Sequence, residues 1–133
     1  MFIAAVYHPP KPCYSVDSFL EYFEASVTEI NDRFAMPFIV VAGDLNSLSD
    51  EDIVERTGLI QIVHQPTRGG NLLDRIFVTE AMYPTVRVIT STVRSDHKAV
   101  VVYSENSQYK SKNSIISTAP PSACLTPVTR KDQ

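Results

Sequence analysis

The residues of this chain that could do chemistry fall into three short groups. Gly43-Asp44-Leu45-Asn46 sets a carboxylate and a carboxamide two positions apart, directly after the apolar run Phe38-Ile39-Val40-Val41-Ala42. Asp74 stands near the start of Leu72-Leu73-Asp74-Arg75-Ile76-Phe77-Val78-Thr79, and Ser95-Asp96-His97 comes just before the apolar stretch Ala99 to Tyr103. Carboxylates, an amide and an imidazole together can orient a water, move a proton, or hold a cation or an oxyanion. A Gly-Asp pair can also simply end a strand, because Gly, Asp and Asn are ordinary turn residues.

The elements that must position these groups are legible from periodicity. Phe38 to Ala42, β-branched and preceded by Pro37, reads as a strand buried on both faces. Gly43 then lets the backbone leave the sheet, and Asp44 and Asn46 can point together into a cleft at the strand's carboxyl end, where α/β sheets bind ligands. Phe2 to Tyr7 is a strand ended by His8-Pro9-Pro10-Lys11-Pro12, which places Tyr7 at its exit. Ser15 is an N-cap, with Val16, Phe19, Leu20, Phe23, Val27, Ile30 and Phe34 at helical spacing behind it. About 19 helical residues span roughly 28 Å and a six-residue strand roughly 20 Å, so this helix can return the chain to a parallel strand. The right-handed βαβ unit that results puts Tyr7 and Asp44 at one edge of the sheet.

Beyond Asn46, Ser47 to Asp52 reads as a loop leading to a short acidic helix closed by Gly58. Leu59 to Val63 is the next strand, Gln65 to Asn71 a polar glycine-rich turn, and Leu72 to Thr79 a strand carrying Asp74. Pro84 precedes a further strand, Val86 to Val93, whose alternation implies one covered face and one wetter one. Ala99 to Tyr103 is the last strand, and 105–133, rich in Ser, Thr, Pro, Lys and Asn, reads as a flexible polar tail.

Composition narrows the function classes. The chain has 133 residues, 44% hydrophobic and 20% charged, which suits one folded domain over residues 1–104. A formal net charge of −3 does not mark a nucleic-acid binder. The charge is uneven, however: acids crowd residues 1–67, while Arg68, Arg75, Arg87, Arg94 and Lys98 outnumber the acids beside them, so one face could still meet phosphates. No stretch approaches the ~18 apolar residues of a membrane span, and the N-terminal run lacks a basic region of the signal-peptide kind. Cys13 and Cys124 form neither a metal pattern nor a disulfide framework, which fits an intracellular setting, nuclear or cytoplasmic.

Four tags occur in order: Tyr7-x-Pro9-Pro10 at a strand exit, Gly43-Asp44-Leu45-Asn46 at the next, Pro66-Thr67-Arg68 ahead of Leu73-Asp74, and Ser95-Asp96-His97 before the final strand. Together they resemble the carboxyl-terminal half of the endonuclease/exonuclease/phosphatase superfamily. The spacing Leu59-x-Gln61-x-Val63-x-x-Pro66-Thr67-Arg68-x-x-Asn71-x-Leu73-Asp74 is particularly similar to the apurinic/apyrimidinic-like endonuclease domains of non-LTR retrotransposons.

The resemblance implies an α/β fold that is one half of a four-layer α/β/β/α sandwich of the deoxyribonuclease-like type. It implies metal-dependent phosphodiester hydrolysis, with DNA as partner and Mg²⁺ or Mn²⁺ as cofactor once the site is complete. By the same resemblance Asp44 orients or deprotonates the attacking water and Asn46 bonds the scissile phosphate. His97 contacts the phosphate or transfers a proton, and Asp74 holds its ring. Asp96 lies near the metal, Tyr7 reaches the phosphate, and Thr67 and Arg68 touch the DNA backbone. His8 and His64 match no catalytic tag and are expected to be plain loop or strand-end residues.

The family's first half supplies an Asn and a metal-binding Glu that have no counterpart in this sequence. The chain by itself is therefore expected to be a poor or inactive nuclease, with an apolar sheet face left for oligomerisation or for pairing with the missing half. The chain ends where a reverse transcriptase would follow in a retroelement polyprotein, so reverse transcription is not expected of it. A non-catalytic retroelement relic or interaction module is the alternative, and a phosphatase or sphingomyelinase of the same superfamily fits the Pro-Thr-Arg to Leu-Asp signature less well.

Overall fold

The computed structural model describes residues 1–81 and 85–103. Pro84 and the tail expected over 105–133 lie outside the described residues. Strand β1 (Phe2–Tyr7) is followed by helix α1 (Val16–Arg33), strand β2 (Ile39–Asp44), helix α2 (Asp50–Thr57), and strands β3 (Ile60–Gln61), β4 (Asp74–Val78), β5 (Thr85–Ile89) and β6 (Ala99–Tyr103). The chain is a mixed α/β protein.

Helix α1 begins where Ser15 takes an extended conformation and its hydroxyl accepts the Ser18 N–H at 3.1 Å, with Asp17 in the first turn and Arg33 in the last. Leu20, Phe23 and Val27 are the buried part of its stripe. Val16 and Phe34, at the two ends, are only partly covered, the Phe34 ring lying 4.8 Å from that of Phe2. Helix α2 is capped by the Ser49 hydroxyl and closed by Gly58, whose φ of +69° is the left-handed conformation that favours glycine.

β1 and β2 pair in parallel with Tyr7 opposite Asp44, the juxtaposition expected of the βαβ unit. β2 runs two residues beyond the apolar stretch, so Gly43 sits inside the strand rather than leading out of it. Its reason is a close approach: a Cβ built at Gly43 would lie 1.7 Å from the Val6 carbonyl oxygen. β4 is antiparallel to β2, and β3 antiparallel to β4, giving the order β1-β2-β4-β3.

β3 is shorter than the five residues expected, because the Gln61 side chain closes on Val63, accepting its N–H and donating to its carbonyl, each at 2.6 Å. β4 also starts later than Leu72, and β5 ends at Ile89 rather than Val93. β5 and β6 form a separate two-stranded antiparallel sheet.

Strand alternation divides the interior in two. Ile39, Val41 and Phe77 point to the helices and bury with Leu20, Phe23, Val27, Leu45, Leu48, Ile53 and Leu59. Val40, Ala42, Ile76 and Val78 point the other way, where Val86 and Val88 of β5 and Val100 and Val102 of β6 cover them. β1 lies beyond that cover, so Ile3 remains 70% exposed.

Candidate active site

The register decides what meets at the carboxyl end of β2. Asp44 is the last residue of β2 and faces Asp74, the first of β4. Two carboxylates side by side across a ladder repel each other, and an imidazole stands against both. His97 Nδ1 is 2.7 Å from Asp74 Oδ2, and its Nε2 is 3.9 Å from Asp44 Oδ2. With Nδ1–H donated to Asp74, the neutral ring has an unprotonated Nε2 aimed toward Asp44. All three side chains are about a quarter exposed, which leaves the cluster open to a ligand.

His97 is delivered by the loop between β5 and β6, and Thr67 secures that delivery. The Thr67 hydroxyl accepts the N–H groups of Leu73 and Asp74 at 3.1 and 3.0 Å, and its carbonyl accepts the Lys98 N–H at 2.7 Å. One residue thereby ties the start of β4 to the residue following His97. Thr67 is fully buried with its hydroxyl committed to the protein, so it does not offer the DNA-backbone contact expected of it. Its work is to place Asp74.

Asp96 departs from the expected metal position. Its carboxylate is exposed and paired with Arg68 at 2.6 Å, and the cluster of possible ligand atoms within 4.8 Å of one another comprises Asp44, Asp74 and His97. Desolvation, the largest single influence, raises the Asp96 carboxyl, but the Arg68 charge, hydrogen bonds from its own N–H and from Arg68, and His97 together outweigh it and hold the group below the usual range. Arg68 stays half-exposed beside the cluster, its backbone bridged to His97.

Asn46 comes just after β2 with a left-handed φ of +46°, a region asparagine tolerates. Its N–H donates to Asp44 Oδ1 at 3.1 Å and its carboxamide donates to the His8 carbonyl at 2.7 Å. Asp44, Asn46, Asp74 and His97 are thus brought together at one rim, with exposed Tyr7 on the neighbouring strand end.

Two supporting residues escaped the sequence reading. His8 is not a loop-surface residue: it is 2% exposed, its Nδ1 lies 3.1 Å from the Tyr14 hydroxyl and its ring lies against Phe19. Burial, with a smaller contribution from Arg75, holds its pKa below the ordinary 6.5. Arg75 is 5% exposed and places a guanidinium charge in the interior. Period-two alternation contained the signal, since placing Asp74 on one face of β4 sends Arg75 to the other.

The chain matches no protein-family model, no curated protein and no solved structure in the three comparisons made. Among the described residues, no helix is long and apolar enough to cross a membrane.

Proposed function

We propose that this site acts on phosphodiesters, as a metal-dependent DNA endonuclease of the retroelement kind, and that this chain by itself turns over weakly or not at all. The observation that carries the reading is the imidazole of His97 held at 2.7 Å by Asp74 with its other nitrogen 3.9 Å from Asp44. Helices on one face of the four-stranded sheet and a two-stranded sheet on the other support the layer order of half an α/β/β/α sandwich.

Each residue then has a part set by its position. Asp74 fixes the tautomer and orientation of His97, as a carboxylate does in hydrolytic triads. His97 Nε2, on the side of the ring that faces Asp44, can bond a phosphate oxygen or move a proton. Asp44 can orient and deprotonate the attacking water, and Asn46 can turn its carboxamide from the His8 carbonyl to the phosphate. Arg68 and Tyr7 border the cluster where flanking phosphates would lie.

The donor set suits a divalent cation, since Mg²⁺ is commonly held by one or two carboxylates completed by waters and substrate phosphates, and the ligand atoms of Asp44, Asp74 and His97 lie within 4.8 Å of one another. Mg²⁺ or Mn²⁺ held by Asp44 and Asp74 would supply charge neutralisation at the phosphate oxygens. The Asp96 carboxylate, taken up by Arg68 and not among the clustered ligand atoms, is what favours the second reading, a non-catalytic relic or interaction module.

Mn²⁺ and supercoiled plasmid test the proposal together. Substoichiometric Mn²⁺ is expected to broaden the His97 imidazole resonances, and any nicking is expected to disappear in Asp44→Ala and His97→Ala. Imidazole signals that stay sharp with Mn²⁺ and unshifted by DNA, or nicking that survives both substitutions, would refute it.

A further inference from the structure

We infer that Arg75 is a positioning residue for this site, holding from the helix side the loop that presents Asn46; the inference rests on the phosphodiesterase reading above. Arg75 follows Asp74 in β4, so the two side chains leave the strand on opposite faces. Asp74 goes to His97, and Arg75 goes under the loop between β2 and α2.

There its Nη2 donates to the Asn46 carbonyl at 2.8 Å, while Nη1 donates to the Leu48 carbonyl at 2.6 Å and to Asp50 Oδ1 at 2.5 Å. One guanidinium thus grips the loop at Asn46 and Leu48 and grips Asp50, the first residue of α2. Its rigid fork is what allows three acceptors to be met at once, which a lysine ammonium on a flexible stem would do less well.

The grip acts on a residue that needs it. Asn46 holds a left-handed φ of +46°, with its carboxamide donating to the His8 carbonyl while its own carbonyl accepts from Arg75. Burying a guanidinium is costly, and Nε of Arg75 is buried without a partner, so the interior here is not arranged for stability alone. A packed apolar side chain opposite Gly43 would fill the same space without that cost. What an apolar residue could not do is fix the Asn46 carbonyl.

NMR of the whole ¹⁵N-labelled chain tests this, with Arg75→Met, Arg75→Lys and the milder Asp50→Asn, which guards against a variant that fails to fold. The Asn46 carboxamide signals are expected to shift and to exchange faster in Arg75→Met, with partial restoration in Arg75→Lys and a smaller shift in Asp50→Asn. The His97 Nδ1–H signal, held by Asp74 on the other face, is expected to stay in place.

Affinity for a fluorescein-labelled phosphorothioate DNA duplex in Mg²⁺ is expected to fall about tenfold in Arg75→Met, the scale of one lost hydrogen bond to a charged group. Asn46 signals unchanged in Arg75→Met and in Asp50→Asn would overturn the inference. So would His97 and Asn46 signals moving equally, which is the mark of general loosening. Absence of binding by the unsubstituted chain would count against the phosphodiesterase reading, while the Asn46 resonances would still decide whether Arg75 sets that loop.

Discussion

The two faces of the four-stranded sheet are built differently. Among the described residues, ten apolar side chains are buried in one cluster on the helix side, with Phe77, Ile53 and Leu45 at 0–1% exposure. On the other side four are buried, and the valines of β5 and β6 that cover them are themselves only partly enclosed. The candidate site straddles the two. Asp44 and Asp74 end strands anchored by the dense side, whereas His97 arrives from the lighter one. The carboxylates are therefore fixed by the core, and the imidazole by a few hydrogen bonds around Thr67 and Asp74, so local opening should reach His97 first.

That contrast can be broken from either side. Phe77→Ala empties the centre of the dense cluster and is expected to cost about 3–5 kcal/mol, read as a large drop in the urea midpoint. If the helix side were no denser than the other, the loss would be nearer that of a half-buried site.

Val100→Ala trims the lighter cover and is expected to cost only about 1 kcal/mol, while hastening exchange of the His97 Nδ1–H. Equal exchange rates in Val100→Ala and the unsubstituted chain would show that Thr67 and Asp74 hold the ring without help from the sheet.

The smallest effect belongs to His8. Its folded pKa lies below 6.5, so as pH falls through about 6.5 the unfolded chain gains a proton that the folded one resists. Stability from this group is therefore full above that pH and declines below it, and His8→Gln should flatten that part of a pH series of urea midpoints.

Much of this arrangement could be read from the sequence, and the failures have a common physical origin. β1, α1 with its Ser15 cap, α2 with its Gly58 closure, and β6 follow from local periodicity and capping, which are encoded residue by residue. The nearness of Asp74 to His97 was expected from the order of tags, not from any local pattern.

Arg75, Thr67 and His8 were misjudged because charged and polar residue types are ordinarily exposed, and their burial depends on partners distant in sequence: the loop carbonyls of 46 and 48, the N–H groups of 73 and 74, and the hydroxyl of Tyr14. The family resemblance set Asp96 near the metal, whereas its exposed carboxylate is paired with Arg68.

The contact at Gly43 carries a last consequence. With 1.7 Å between a would-be Cβ and the Val6 carbonyl oxygen, every other amino acid at this position must prise the first two strands apart. The damage would not stay in the interior, because Tyr7 is the next residue after Val6 and Asp44 the next after Gly43. A single methyl group is enough to pull Tyr7 away from Asp44.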